Sequence, residues 1–374
     1  RSTTLGPNVD NYNYATGTTT SSAGLGVSLR GNPDIGWETT KSLNVGISSR
    51  LFNSLNFDFD YFNSTTEDML LSVPGDPTLL GNVSSVPANL GEMTNKGFDA
   101  TLSYDNYQSD GDFRYNLGFN ISAYKNEVTF LDPENPDSFI NGDRLRDQNP
   151  TRTQAGQPLS SFYGNTWAGI ENGRVVFDEL DDSGEPVRGF IGSPHPDFTY
   201  GLTFNADYKN FDFSMLFQGS QGNEIYNFNK FFTDFNKFTG GRSVNYVNEV
   251  GLPAVTANSS LVDREAAASS YYVEDGSYLR LKNIVIGYSL PNSLTQKLKL
   301  DKIRLYLQGK NLITLTDYSG LDPEVSLRNF VGSVSAPGGS APDRTLPGPN
   351  LTYGVDSGTY PINRSIIFGL NVSF

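Results

Sequence analysis

Residues Ser365–Phe374 read SIIFGLNVSF. Ile366, Phe368, Leu370, Val372 and Phe374 take every second position, and Ser365, Gly369, Asn371 and Ser373 mostly fill the places between. A period of two puts the first set on one face of an extended strand and the second set on the other. A last strand with one apolar face and a terminal aromatic residue is how outer-membrane β-barrels end. The apolar face meets lipid, the assembly machinery reads the terminal Phe374, and the strand closes the sheet.

The same alternation recurs upstream. It runs through Leu43, Val45 and Ile47, then Leu55, Phe57, Phe59 and Tyr61 opposite Asn56, Asp58 and Asp60. Phe98–Tyr104, Phe113–Ile121, Leu202–Tyr208, Phe211–Phe217, Ile284–Tyr288 and Ile303–Leu307 repeat it. This predicts an all-β fold: an antiparallel wall of about nine strands, each long enough at about 3.3 Å per residue and a tilt near 40° to cross roughly 30 Å of hydrocarbon. Connections alternate short and long. The short ones fall at Leu51–Ser54, Gln108–Asp112 and Lys209–Asn210, and the long ones near 67–93, 128–196, 221–276 and 314–361. Short periplasmic turns and long extracellular loops give that bias, whereas a soluble sandwich has water at both ends and no reason for it. Residues 1–38, rich in Thr, Ser, Gly and Asn, read as an extracellular loop segment, and 39–374 as the C-terminal portion of the barrel.

Leu159–Ile170 looks strand-like, but counting it in the wall would put the Lys209 turn outside the cell, so it belongs to a loop. Ile225, Phe228, Phe232 and Phe235 at helical spacing predict a helix over Asn223–Phe238, with Asn229, Lys230, Asp234 and Lys237 on its solvated side. A second short helix is expected over Ser293–Leu298, capped by Asn292 or Ser293.

Composition narrows the function. No run of about 18 apolar residues exists, which excludes a membrane-spanning helix and says nothing against a barrel. Phe (25), Tyr (20) and Gly (38) suit interfacial girdles and tight turns. The chain has no cysteine and a single histidine, His195, so disulfides, thiolate metal sites and His-based catalysis are not expected. The net charge of −14 excludes a nucleic-acid footprint. No constellation suggests an enzyme, and no cofactor is indicated.

Several stretches resemble the C-terminal half of SusC/RagA-type TonB-dependent outer-membrane transporters: Asn32–Thr40 (NPDIGWETT), Leu90–Phe98 (LGEMTNKGF), Gly192–Gly201 (GSPHPDFTYG), Asp275–Leu290 (DGSYLRLKNIVIGYSL), Gly309–Leu315 (GKNLITL) and Tyr360–Phe374. Their order matches across most of the chain. The resemblance implies part of a plugged barrel of about 22 strands. It also implies TonB-driven uptake of large nutrients such as oligosaccharides or peptides, and a SusD-like lipoprotein lid. The location implied is the outer membrane of a Gram-negative, Bacteroidetes-like bacterium. The expected partners are the rest of the same barrel and its plug, TonB through that plug, the lid and membrane lipid. An odd strand count is consistent with a piece, because it leaves edges that must be paired within a bilayer. A transport-inactive scaffold subunit and a passive porin are the alternatives.

Phe162, Tyr163, Trp167, Phe228, Phe231 and Phe232 are candidate substrate or lid contacts in the loops, and internal loop packing is the competing explanation. Asp178, Asp181 and Asp182, within an acidic run with Glu179 and Glu185, are candidate calcium ligands. Leu180 and Ser183 depart from the EF-hand pattern, and a solvated charged turn is favoured over calcium. His195, between Pro194 and Pro196, reads as structural. The terminal strand residues Ile366, Phe368, Leu370, Val372 and Phe374 carry barrel assembly.

Overall fold

The alternation becomes nine strands: β1 (Thr39–Leu51), β2 (Leu55–Glu67), β3 (Glu92–Asp105), β4 (Phe113–Phe130), β5 (Phe198–Tyr208), β6 (Phe211–Gln221), β7 (Tyr278–Ser289), β8 (Lys302–Thr316) and β9 (Ser365–Ser373). They form one antiparallel sheet in strict chain order, each strand pairing with its sequence neighbours. The computed structural model describes residues 5–6, 9–13, 18–22, 26–27, 32–74, 85–107, 111–132, 135–142, 144–145, 148–171, 174–234, 267–325, 352–358 and 360–374.

The register aligns the apolar positions across the wall. Phe368 lies opposite Leu307, Leu307 opposite Ile286, Ile286 opposite Phe213, Phe213 opposite Ala206, and Ala206 opposite Tyr115. The next rows carry Leu117, Tyr104 and Leu55, then Phe98, Tyr61 and Val45. Leu43, Ile47, Leu102, Leu117, Phe211, Ile286, Leu307, Ile366, Phe368 and Leu370 are all exposed on this face. Leaving such side chains in water forgoes about 1.5–3 kcal/mol each. A soluble monomer seldom exposes contiguous apolar area beyond a few hundred Å². A bilayer removes the problem.

The opposite face is polar and bonded to itself. Ser214 Oγ donates to Asn205 Oδ1 at 2.8 Å, and Gln308 Nε2 donates to Asn283 Oδ1 at 2.7 Å. Arg304 on β8 reaches over β7 to Asp212 on β6, with Nε donating to Oδ1 at 2.8 Å. Gly287 lies beneath that pair, and a Cβ there would strike both side chains. Gly369 in β9 makes the same room for the Tyr306 ring.

The short connections are tight. Phe52 and Asn53 have φ of +51° and +56°, and Lys209 has φ of +52°. The turn after β7 carries a helix over Asn292–Thr295 that passes into a 3-10 turn, Gln296–Leu298. It starts one residue earlier than expected and has no side-chain cap. Pro291 holds the N-cap position, and its fixed φ suits a helix start.

The long connections carry structure of their own. Residues 139–141, 151–154, 161–165 and 188–192 form a four-stranded sheet outside the wall, and Trp167–Glu171 pairs with Arg174–Phe177. Leu159–Ile170 thus lies in a loop, as the parity argument requires. Among the described residues of the helix expected over Asn223–Phe238, Glu224–Asn227 is instead a strand and Lys230–Thr233 is helical. Tyr226 finds strand partners on both sides, antiparallel to Val273 and parallel to Val355, and this ladder outweighs the helical spacing. Phe235–Phe238 lie outside the described residues. Within 1–38, read as loop, Leu5–Gly6 pairs with Gly26–Val27 and Val9–Asn13 with Thr18–Ser22; the threonine-rich second segment favours extended backbone.

Candidate functional site

Three of the long connections fold together into a cap. Its core is Leu145, Phe162, Val175, Phe177, Tyr226, Phe228, Phe231, Ala268, Tyr272 and Val355. Tyr226 is fully buried, so its hydroxyl needs a partner, and it donates to Gln148 Oε1 at 2.7 Å. Asn165 N donates to the Ala268 carbonyl at 2.8 Å, and Trp167 N to Ser270 Oγ at 2.9 Å. Lys230 Nζ meets Glu274 Oε1 at 2.8 Å. Burial pushes the Glu274 carboxyl up, but Lys230, Ser319 and Asn227 together hold it below the ordinary value.

These contacts revise the aromatic candidates. Phe162, Phe228 and Phe231 are inside the cap core and present no surface to cargo or partner. Trp167 and Phe232 are partly buried against the same core, with the Trp167 ring 4.6 Å from that of Tyr271. Of the six, Tyr163 alone stands on the outer side of the loop sheet, paired with Phe190 and flanked by Arg152 and Arg188. Lys230 and Asp234, expected on a solvated face, are instead interior groups: Asp234 is 1% exposed and accepts from the Tyr271 hydroxyl at 2.9 Å.

The cap is pinned to the polar face of the wall at two places. A bulge in β7 at Lys282 turns Lys282 and Arg280 toward the segment after β8. Arg280 Nη2 meets Asp322 Oδ1 at 2.7 Å, its Nη1 meets Glu324, and Lys282 Nζ lies 2.6 Å from Glu324 Oε1. Asp322 also accepts from Ile362 N at 3.0 Å. At the second place, His195 Nε2 lies 2.8 Å from the Leu159 carbonyl, and the Tyr124 hydroxyl lies 3.2 Å from Nδ1. The carbonyl can only accept, so Nε2 carries the proton and Nδ1 accepts from Tyr124. Burial holds His195 below the ordinary imidazole value, with the Leu159 bond opposing.

Between wall and cap lies a cavity of about 490 Å³. Its wall side is built from the polar-face positions Tyr124, Thr199, Ser220 and Tyr278, and its cap side includes Glu224, Glu324 and Tyr353. Burial, with Asp275 adding to it, raises the Glu224 carboxyl, although Ser193 N donates to it at 2.7 Å. The arrangement binds and excludes. Its lining mixes hydroxyls and carboxylates with apolar groups such as Pro194, Ile225, Pro323 and Ile362, and shows no nucleophile held against a base.

Asp178, Asp181 and Asp182 are exposed. Asp181 Oδ1 accepts from Ser183 N, Ser183 Oγ and Glu185 N at 2.9, 2.6 and 2.9 Å, and the Ser183 hydroxyl leads in holding its carboxyl below the ordinary value. The oxygen a cation would use closes a turn, and among the described residues no three His, Asp or Glu side chains converge on one point. Sequence reading missed the Arg280–Asp322–Glu324 cluster. Asp275–Leu290 carries the arginine, but nothing in its spacing indicates carboxylates some 42 and 44 residues away.

The sequence profile described as TonB dependent receptor-like, beta-barrel matches residues 2–312. TonB-dependent receptor P3 of Formosa agariphila is 35% identical over 376 residues, which cover 92% of this chain and 35% of that protein. TonB-dependent receptor SusC of Bacteroides thetaiotaomicron is 28% identical over 92% of this chain and 32% of its own length, so the chain spans about a third of these relatives. The structure of the RagAB peptide transporter shares the fold, with a TM-score of 0.70 at 24% identity over all of this chain and 38% of the other. The wall, its register and these matches lead to one conclusion: the chain belongs to the TonB-dependent receptor β-barrel family.

Proposed function

We propose that the chain is the C-terminal wall and cap of a TonB-dependent importer in the outer membrane of a Gram-negative, Bacteroidetes-type bacterium. The importer takes up large nutrients, oligosaccharides or peptides, with a plug elsewhere in the same barrel and a SusD-like lipoprotein over the cap. One observation carries this reading. Three loops are packed into one cap that is salt-bridged to the polar face of a lipid-facing wall, with an open cavity between cap and wall. A passive porin needs an open mouth, and a fused cap opposes free diffusion. That RagAB is a peptide transporter and SusC a TonB-dependent receptor favours import over a scaffold role.

Deletion of the gene encoding the full-length protein should abolish growth on one large oligosaccharide or peptide while growth on its monomers continues. Depletion of TonB should give the same defect. Uptake that persists without TonB would overturn the importer reading in favour of a porin. No uptake defect on any large nutrient would favour the scaffold.

A further inference from the structure

The four-stranded loop sheet turns one face to the cap core and the other away from it. On the outward face stand Phe139, Arg152, Tyr163, Arg188 and Phe190. The Arg152 guanidinium lies between two rings, 3.7 Å from the Phe139 centroid and 3.5 Å from that of Tyr163. Arg188 approaches the same tyrosine at 4.9 Å, and Phe190 meets it edge-on at 5.3 Å. Phe139 and Phe190, at 44% and 37%, are exposed.

Two features set this ledge apart. First, among the described residues its cations meet no counter-charge. Arg152 Nε donates to Asn141 Oδ1 at 3.4 Å, while Arg188 donates to the Asn149 and Tyr163 carbonyls at 3.0 Å each. Among the described residues neither arginine meets a carboxylate, although the chain carries a net charge of −14 and the acidic turn Asp178–Glu185 is close in sequence to Arg188. Second, the Arg152 guanidinium is stacked between the Phe139 and Tyr163 rings, and a stacked, planar guanidinium pairs well with a carboxylate in its own plane. The ledge lies outside the cavity between wall and cap, and its exposed rings suit a macromolecular surface.

We infer that the Phe139–Arg152–Tyr163–Arg188–Phe190 ledge docks an acidic segment of the surface lipoprotein, its Asp or Glu side chains meeting the two guanidinium edges and its apolar side chains meeting the two phenylalanines. This rests on the proposal that such a lipoprotein covers the cap. Aromatic and arginine anchors of this kind dominate binding at interfaces, and partner carboxylates make the contact salt-sensitive.

The test uses the full-length protein purified from its own outer membrane. Wild type should retain the lipoprotein, and Arg152→Glu/Arg188→Glu should weaken that association at least tenfold, with a flatter dependence on salt. Benzoyl-phenylalanine at position 190, with both arginines intact, should photo-crosslink to an acidic peptide of the lipoprotein, a readout independent of whether the charge-reversed protein assembles. A wild-type preparation with no lipoprotein overturns the lid reading itself. A lipoprotein held equally by wild type and variant overturns the ledge alone. So does a crosslink to other parts of the same polypeptide, or an unchanged complex that loses uptake only of carboxylate-bearing peptides.

Discussion

At the residue scale, the charges that fasten cap to wall are the most consequential side chains. Arg280 and Asp322 are 2% and 4% exposed. Removing Asp322 leaves the buried Arg280 with Glu324 as its remaining carboxylate and frees Ile362 N, so the cost is below the roughly 3–5 kcal/mol of a fully uncompensated buried charge. Asp322→Ala should therefore release the segment 317–325, read as faster amide exchange there, while the wall stays assembled. Exchange rates unchanged from wild type would show that the cluster is not the fastening. His195 fastens the other side and gives the cap a pH dependence. Its imidazole is held below the free value of about 6.5, so the unfolded chain binds the proton more readily than the folded one. This contribution is complete above the free value and is lost as pH falls toward the folded one. Amide protection at residues 156–161, corrected for the intrinsic pH dependence of exchange, should fall in wild type as pH drops below about 6.5. His195→Gln, which has no titrating ring, should show no such step. The sequence marked His195 as structural through its two prolines, but its partners Tyr124 and Leu159 are brought to it only by the fold.

At the element scale, strands follow from local pattern and loops from long-range pairing. The period of two survives wherever one face meets a single uniform environment, so the wall strands were readable residue by residue. In Asn223–Phe238 the apolar spacing suited a helix, yet the ladder to Val273 and Val355 decided the outcome, and neither partner is visible from local spacing. The same limit applies to the six loop aromatics: residue type and exposure were separable only once the cap core was known. Phe162→Ala should accordingly cost about 3–5 kcal/mol of cap stability through the cavity it leaves. Its effect should appear in proteolysis of the loops, with partner affinity changed only as far as the cap unfolds. In the wall, Gly287→Val should push Asp212 and Arg304 apart. Because that pair is partly solvated, the electrostatic loss is about 1 kcal/mol or less, and most of the damage is steric. Thermal unfolding in detergent should show Gly287→Val below both wild type and Asp212→Asn; the reverse order would contradict the packing argument.

At the scale of the whole molecule, the account stands on a two-faced sheet. One face is apolar along its central register rows, and the other carries hydrogen bonds, ion pairs and the docked cap. The sheet order places β1 and β9 at its two edges, unpaired with each other among the described residues. Within a bilayer such edges need further strands, consistent with relatives of which this chain spans 35% or less. Facing is the property on which both the membrane assignment and the cavity between wall and cap depend, and these 374 residues contribute no cysteine of their own to a labelling experiment. Single cysteines at Leu117, Asn116, Leu370 and Asn371 in the full-length protein, in native outer membranes, measure it directly. Positions 117 and 370 should react with a lipid-soluble reagent and resist a charged aqueous one, and positions 116 and 371 should show the opposite preference. Equal labelling within each neighbouring pair, or the inverse preference, would contradict the account.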